Sequence, residues 1–315
     1  MKTLYATVLI FLTVTAVSIT IRYYPSERFS LTETIIEFLD TAESTVLFVS
    51  YSFDEPLVME KLNKLSKEGL HVEGIVDDSS VFRTLALNPS FKLLCDSSPA
   101  LIHSKFMVID DRIGIISTGN FTTSGLDEDS NIILYFESED IALGLMEFYR
   151  AIKKGVKAEG FQYSNFSFYL TPIEGVNELI LKKLSDAKES IYFMCYAFTD
   201  PRFLAVLKYK ASYGVKVKGV VDDWNMSSSP IYEYFSTGIG FRMNMEKWLL
   251  HDKTVIVDEK IVITGSANFT RSAWNRNREL VVIIESKEIA NQFMKHFNYL
   301  WEVSTYDNQT GTGAN

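Results

Sequence analysis

Two histidines, two lysines and two aspartates recur in this chain in one frame. His103-Ser104-Lys105 closes at Asp110, and His251-Asp252-Lys253 closes at Asp258. Ten residues beyond each aspartate stands Asn-Phe-Thr, at Asn120-Phe121-Thr122 and Asn268-Phe269-Thr270. The chain has 4 histidines, so half of them sit in matching frames. Imidazole titrates near pH 6.5, and a neutral and a protonated ring coexist close to neutrality. One ring can attack phosphorus while the other protonates the departing oxygen. Lys105 and Lys253 bring positive charge to the oxygens where negative charge accumulates. Asn120 and Asn268 can donate amide hydrogens to those oxygens, and the hydroxyls of Thr118 and Ser266 can add to them or support the site. These residue types together point to the cleavage of a phosphodiester.

The spacing follows strand geometry. Residues two apart face the same side of a strand, so His103 projects with Lys105, and His251 with Lys253. Asp110 and Asp258 fall on the opposite parity, which makes them structural: buried partners or turn formers.

The elements that position these residues are themselves duplicated. Tyr51-Ser52-Phe53-Asp54-Glu55-Pro56 is matched by Tyr196-Ala197-Phe198-Thr199-Asp200-Pro201 at an offset of 145, which also relates Asp77-Asp78 to Asp222-Asp223. From His103 onward the offset is 148. A period of this size is a repeat of domains, not a solenoid. Each half predicts an amphipathic helix (Leu31 to Thr41; Glu178 to Ala187), an apolar strand (Thr45 to Ser52; Ser190 to Ala197) and a helix opened by Pro56 or Pro201. A β-branched run follows (His71 to Val76; Val215 to Val221). Two strands then bracket the repeated aspartate, and a final strand (Ile132 to Phe136; Leu280 to Ile284) leads into a closing helix. Alternating strands and helices make each half an α/β layer structure. The expected boundaries are a first lobe over 28–152, a linker over 153–172, a second lobe over 173–303 and a polar tail over 304–315.

Residues 1–22 read as a signal peptide or a signal anchor. Leu4 to Ile21 carry no charge after Lys2, and Ala16-Val17-Ser18 offers a cleavage site. The globular part is therefore expected to be exported, either secreted or held at a membrane through this segment. The net charge of −9 argues against broad coating of nucleic acid, which runs on Lys and Arg, though not against a local basic groove. Cys95 and Cys195 are too few for a disulfide scaffold and read as packed thiols, with one bridge as the alternative.

These residues resemble the phospholipase D superfamily, whose signature is His-x-Lys-x4-Asp followed by Gly-Ser-x-Asn. The second copy matches fully, at His251, Lys253, Asp258, Gly265, Ser266 and Asn268. The first departs at Ser117, which stands at the glycine position, and has Thr118 for the serine. The resemblance implies an α/β fold of two tandem sandwich lobes with mixed sheets, related by a pseudo-two-fold axis, with one active site between them. It also implies a covalent phosphohistidine intermediate with no cofactor and no required metal. An acidic residue orients each histidine in that family. Glu279 stands at this place after His251 and is expected to serve it, while the first half has Asn131 there. The carboxylate favours His251 as the nucleophile; family precedent favours His103.

Lone histidines are usually structural, and His71 and His296 are read so. Asp77-Asp78 and Asp222-Asp223 end strands, where they are expected to cap helices, with a place facing the site as the alternative. Tyr51, Phe53, Tyr196 and Phe198 fit either the pocket wall or the core. Trp224, Met226, Tyr232, Tyr234, Phe235, Met243, Met245 and Trp248 form an aromatic- and Met-rich stretch that is either core or a surface for lipid. A phospholipid substrate is expected ahead of nucleic acid, with the chain acting as a monomer. A nonspecific nuclease is the alternative, and a catalytically dead binding module the third reading.

Overall fold

The computed structural model describes residues 20–95, 100–225, 238–304 and 306–307. The first lobe runs β1 (Thr20–Pro25), α1 (Leu31–Leu39), β2 (Thr45–Ser50), α2 (Pro56–Lys67), β3 (His71–Val76), α3 (Val81–Ala86), β4 (Lys92–Cys95), β5 (Phe106–Ile109), β6 (Ile113–Ser117), a π-helical turn (Ser124–Glu128), β7 (Ile132–Glu137) and α4 (Glu139–Lys154). Its strands form one mixed sheet in the order β1-β7-β6-β5-β2-β3-β4. The second lobe runs β8 (Phe161–Tyr163), β9 (Phe166–Leu170), α5 (Val176–Asp186), β10 (Ser190–Cys195), α6 (Pro201–Ser212), β11 (Lys216–Asp222), β12 (Gly240–Asn244), β13 (Lys253–Val257), β14 (Ile261–Gly265), α7 (Arg271–Asn275), β15 (Leu280–Glu285), α8 (Lys287–Val303) and β16 (Tyr306–Asp307). Its sheet has the order β16-β12-β11-β10-β13-β14-β15-β9-β8.

Burial explains the layering. Strands β2 and β10 are apolar on both faces, as strands covered on both sides must be. The outer face of the first sheet packs on α1 and α2 through Ile35, Leu62 and Phe48, and that of the second packs on α5 and α6 through Ile180, Leu204 and Phe193. The inner faces share one continuous core with α4 and α8, in which Phe148, Phe168, Phe293 and Phe297 take part. The duplication extends to packing detail. Phe48 lies across Gly74 on the parallel neighbour strand, and Phe193 lies across Gly219. A Cβ on either glycine would meet the ring at 2.1 or 2.0 Å, so any larger residue would have to displace it.

The structure redraws three boundaries. Thr20–Arg22, placed in the leader by sequence, pair with β7 as part of β1; the rest of that segment lies outside the described residues. No helix among the described residues is long and apolar enough to cross a membrane. The expected linker over 153–172 contains the β8–β9 hairpin, whose second strand pairs with β15 and completes the second sheet. Within the expected tail, Tyr306–Asp307 pair with β12, and 308–315 lie outside the described residues. Both cysteines are free; Cys195 is packed as expected, but Cys95 is exposed.

Candidate active site

Parallel β2 and β3, and parallel β10 and β11, deliver Tyr51, Asp77, Tyr196 and Asp222 to one edge of the two sheets. Antiparallel β5 and β13 begin at that edge, just after His103 and His251. Each histidine is stitched to the opposite lobe. His103 donates its backbone N–H to the carbonyl of Arg278 (2.9 Å), and His251 to that of Ser130 (3.0 Å). Bridges pair Ile102 with Arg278 and Ser130 with Leu250. Asp77 and Asp222 hold the segments that lead in. Asp77 Oδ2 accepts from the N–H of Ile102 (2.7 Å), and Asp222 Oδ2 from that of Leu250 (2.8 Å). Sequence reasoning made these aspartates helix caps. Each does accept a cap-like bond from the N–H two residues on, Asp77 Oδ1 from Ser79 (3.1 Å) and Asp222 Oδ1 from Trp224 (3.0 Å), while its other oxygen clamps the residue before a histidine; the signal for that second role was the acidic pair repeated at the end of the third strand. Burial pushes the Asp222 carboxyl up to about 6.

The side-chain partners of the two imidazoles are crossed and unequal. His103 Nδ1 lies 2.8 Å from Oε2 of Glu279, in the other lobe. Glu279 is buried and also accepts from Ser266 Oγ (2.7 Å) and Asn277 Nδ2 (3.0 Å). The expectation that Glu279 serves His251 is thereby corrected: the carboxylate crosses the seam. His251 Nδ1 lies 3.1 Å from Oδ1 of Asn131, which comes from the first lobe. Asn131 is buried, its Nδ2 donating to the carbonyl of Gly125 (3.0 Å) and its Oδ1 accepting from Thr118 Oγ1 (2.9 Å). With its amide so fixed, Oδ1 can only accept, so Nδ1 of His251 carries the proton and Nε2 faces away from the amide. Thr118 and Ser266 thus secure the partners of the imidazoles; neither is spent on an oxyanion.

Burial holds both imidazoles below their ordinary value. Glu279 draws His103 back up, whereas Lys253, Lys105 and His103 all push His251 further down. The charge of each lobe's lysine is therefore felt at the other lobe's histidine, Lys253 at His103 and Lys105 at His251. Lys105 and Lys253 are buried, and each donates its ammonium to the carbonyl of its own motif histidine. Burial lowers Lys253 to about 7 and Lys105 well below its usual range. A dianionic or monoanionic phosphate ester placed between them would reverse that cost, because opposite charge favours the ammonium form. Oδ1 of Asn120 and of Asn268 is buried without a hydrogen-bond partner among the described residues. The ring of Tyr51 packs on His103 (5.5 Å between centroids) and that of Tyr196 on His251 (5.2 Å), while Phe53 and Phe198 are core.

Asp110 and Asp258 face away from this centre. Asp110 takes a left-handed conformation (φ 52°) and accepts from the backbone N–H of Glu43, Ser44 and Thr45 at 2.7–2.9 Å. Asp258 (φ 50°) does the same for Lys188, Glu189 and Ser190 at 2.7–2.9 Å. Each ties the hairpin after the motif to the start of the central strand. His71 opens β3 at the surface. His296 is buried, with Nε2 2.7 Å from Asp252 Oδ2 and Nδ1 3.2 Å from Glu27 Oε2. Those two carboxylates outweigh burial and raise His296 to about 10. This imidazolium pins the middle residue of the second motif to α8 and to the segment after β1, a role that pattern alone did not carry. Of the aromatic stretch, Met243 is core, Trp224 and Met245 reach the surface, and Met226, Tyr232, Tyr234 and Phe235 lie outside the described residues.

Comparison with known proteins shows the family of the chain. The family model described as cardiolipin synthase, PLD-like domain, matches residues 35–152 and again 180–301. A phospholipase D of Rickettsia prowazekii (strain Madrid E) is 35% identical over 136 residues, covering 42% of this chain and 66% of that protein. The mitochondrial cardiolipin hydrolase of Homo sapiens is 33% identical over 125 residues, covering 39% of this chain and 50% of that protein. The chain thus spans 66% of the length of the first relative and half of the second. In fold it is similar to the phosphatidylserine synthase of Haemophilus influenzae Rd KW20, with a TM-score of 0.71 at 13% identity over 91% of this chain and 87% of that one.

Proposed function

The chain belongs to the phospholipase D superfamily, and from that premise we propose that it cleaves a phosphodiester of a phospholipid through a phosphohistidine formed at His103. The observation that carries this is the unequal crossing of partners: Glu279 on His103, Asn131 on His251. Neutral His103 attacks phosphorus through Nε2. The N–P bond forms as the bond to the departing alcohol breaks, and His251 gives its Nε2 proton to that alcohol oxygen. A histidine bonded to phosphorus at Nε2 and to hydrogen at Nδ1 is cationic, so it requires the Glu279 carboxylate. His251 ends the same step neutral, and an amide suffices to hold it. It then takes a proton from water, whose oxygen attacks phosphorus and releases His103. An alcohol in place of water gives transfer. Lys105, Lys253, Asn120 and Asn268 surround the non-bridging oxygens. The phosphate anion itself raises His251 toward its protonated form as it binds.

The named activities of the relatives support a lipid substrate. The purified chain is incubated with phosphatidylcholine vesicles and, separately, with plasmid DNA, each with EDTA. Release of head group or of phosphatidic acid with intact plasmid is expected; nicked plasmid with untouched lipid would overturn the lipid reading. His103→Ala and His251→Ala should each abolish turnover. Acid-quench trapping should place phosphate on His103, and finding it on His251 would reverse the roles.

A further inference from the structure

Resting on this lipid reading, we propose that the chain docks the rim of its catalytic opening onto the surface of a zwitterionic phospholipid bilayer. The carboxyl ends of β2, β3 and β4, and of β10, β11 and β12, share the edge at which His103 and His251 stand. Large apolar side chains emerge around that edge unburied. Phe82 (80% exposed) and Leu85 lie on α3, after β3; Trp224 follows β11 and Met245 (50% exposed) follows β12. Leu101 and Leu249 each stand two residues before a motif histidine, and both are exposed. They are equivalent positions of the duplication, so the same apolar exposure recurs in both lobes. α3 is seated with Phe82 outward: Ser80 Oγ donates to the carbonyl of Tyr51, and Thr84 Oγ1 to that of Phe53 (2.7 Å). On the other lobe Trp224 stacks on Tyr196 (5.5 Å), which packs on His251 (5.2 Å), so apolar surface runs from the rim to the imidazole.

The placement selects the occupant. Exposed apolar groups gathered in one region mark a docking surface. A protein seated on this ring would close the opening it surrounds, whereas a bilayer carries the substrate to it. A polynucleotide would need a cationic rim to neutralise its phosphates; among the described residues the exposed charges beside these apolar groups are of both signs (Asp78, Arg83, Asp223, Glu246, Lys247), on a chain of net charge −9. The same charge disfavours an anionic bilayer, while Phe, Leu and Trp partition into the interface of a zwitterionic one.

Two measurements test this in the full chain. The first compares turnover of phosphatidylcholine in vesicles with turnover of dihexanoyl-phosphatidylcholine below its micellar concentration. Phe82→Ser/Leu85→Ser should lower the vesicle-to-monomer ratio about tenfold. Tyr209→Ser/Tyr213→Ser, an exposed aromatic pair at the far end of α6, should leave the ratio unchanged. The second uses the His103→Ala chain with vesicles of brominated phosphatidylcholine. Tryptophan quenching is expected and should fall when Trp224→Phe is added. An unchanged ratio in the Phe82/Leu85 variant, an equal loss in the Tyr209/Tyr213 variant, quenching indifferent to Trp224, or quenching only by anionic vesicles would each overturn the docking surface. Trp224-dependent quenching by a chain whose wild type turns over no phospholipid would instead overturn the proposed function and leave the surface standing.

Discussion

Replacing Asn131 by Asp tests the division of labour between the two histidines. The substitution places a carboxylate where an amide oxygen now stands, 3.1 Å from Nδ1 of His251. Two unit charges at that separation attract by about 5 kcal/mol at an effective dielectric of about 20. Burial beside the carbonyl of Gly125 resists ionisation of the new carboxyl, and the cost of ionising it takes several kcal/mol of that attraction. What remains, about 1.4–4 kcal/mol, raises His251 by roughly one to three pH units. The groups facing His251 are Lys253, Lys105 and His103, all of which push it down in the wild type, so the new carboxylate opposes them directly. If His251 is the acid, it must be protonated while His103 is neutral. Raising its pKa then enlarges the productive fraction on the alkaline side and leaves the acid side untouched. A weaker acid returns part of the gain, so kcat/KM should rise about three- to thirtyfold on the alkaline limb. The assay is a pH–rate profile on a soluble phosphodiester, paired with an NMR titration of the four histidines. Loss confined to the acid limb would mean that His251 must be neutral to act, and would refute the assignment. A His251 titration that does not move in the folded variant would refute the electrostatic reasoning itself.

Glu279→Gln removes the charge that, in the proposed mechanism, balances phospho-His103 while keeping the size of the side chain; kcat should fall about a hundredfold or more, and quench-flow should show the fall in formation of the phospho-enzyme. His296→Gln leaves Asp252 and Glu27 buried without their cation and should cost about 3–5 kcal/mol in urea unfolding. His296 is raised to about 10 in the fold against about 6.5 unfolded. Its contribution is therefore whole below about pH 6.5 and is lost as pH rises through 10. The wild-type urea midpoint should decline across that window, and His296→Gln should lack this part of the slope. Gly74→Ala drives a Cβ into the ring of Phe48 and should destabilise the first lobe by about 1–3 kcal/mol, read as a lower thermal midpoint.

The repeated elements were legible because their signals are local. An apolar run such as Ile191–Cys195, a proline at the first turn of α2 and α6, and glycines at φ 98° and 83° after those helices each fix their own neighbourhood. The elements that escaped are those whose local composition points elsewhere. Residues 153–172 hold enough Gly, Ser and Asn to read as a linker. Yet Phe166, Phe168 and Leu170 are buried in alternation with half-exposed Ser167 and Tyr169, the period-2 pattern of a strand. β1 hides at the end of an apolar run that a leader explains equally well. The crossing of Glu279 and Asn131 was beyond local reasoning altogether, since it depends on how the lobes face each other across 176 and 120 residues of sequence.

On the proposed mechanism, that crossing gives the asymmetry of the site a chemical reason. Each imidazole must point Nε2 at the shared phosphorus, which turns its Nδ1 back toward the opposite lobe. The residue that holds each ring therefore belongs to the other copy of the repeat. Once both copies are in one chain, the two holding positions are free to differ, and the chemistry asks them to. In the proposed cycle the ring that binds phosphorus would carry a positive charge through the intermediate, and Glu279 would balance it. The ring that shuttles the proton is neutral at the same moment, and a carboxylate there would strengthen its hold on the proton it must surrender. Asn131, locked as an acceptor by Thr118 and Gly125, fixes the tautomer of His251 without that cost. Under the proposed mechanism, a chain with two carboxylates could attack from either side, and the single carboxylate here favours His103.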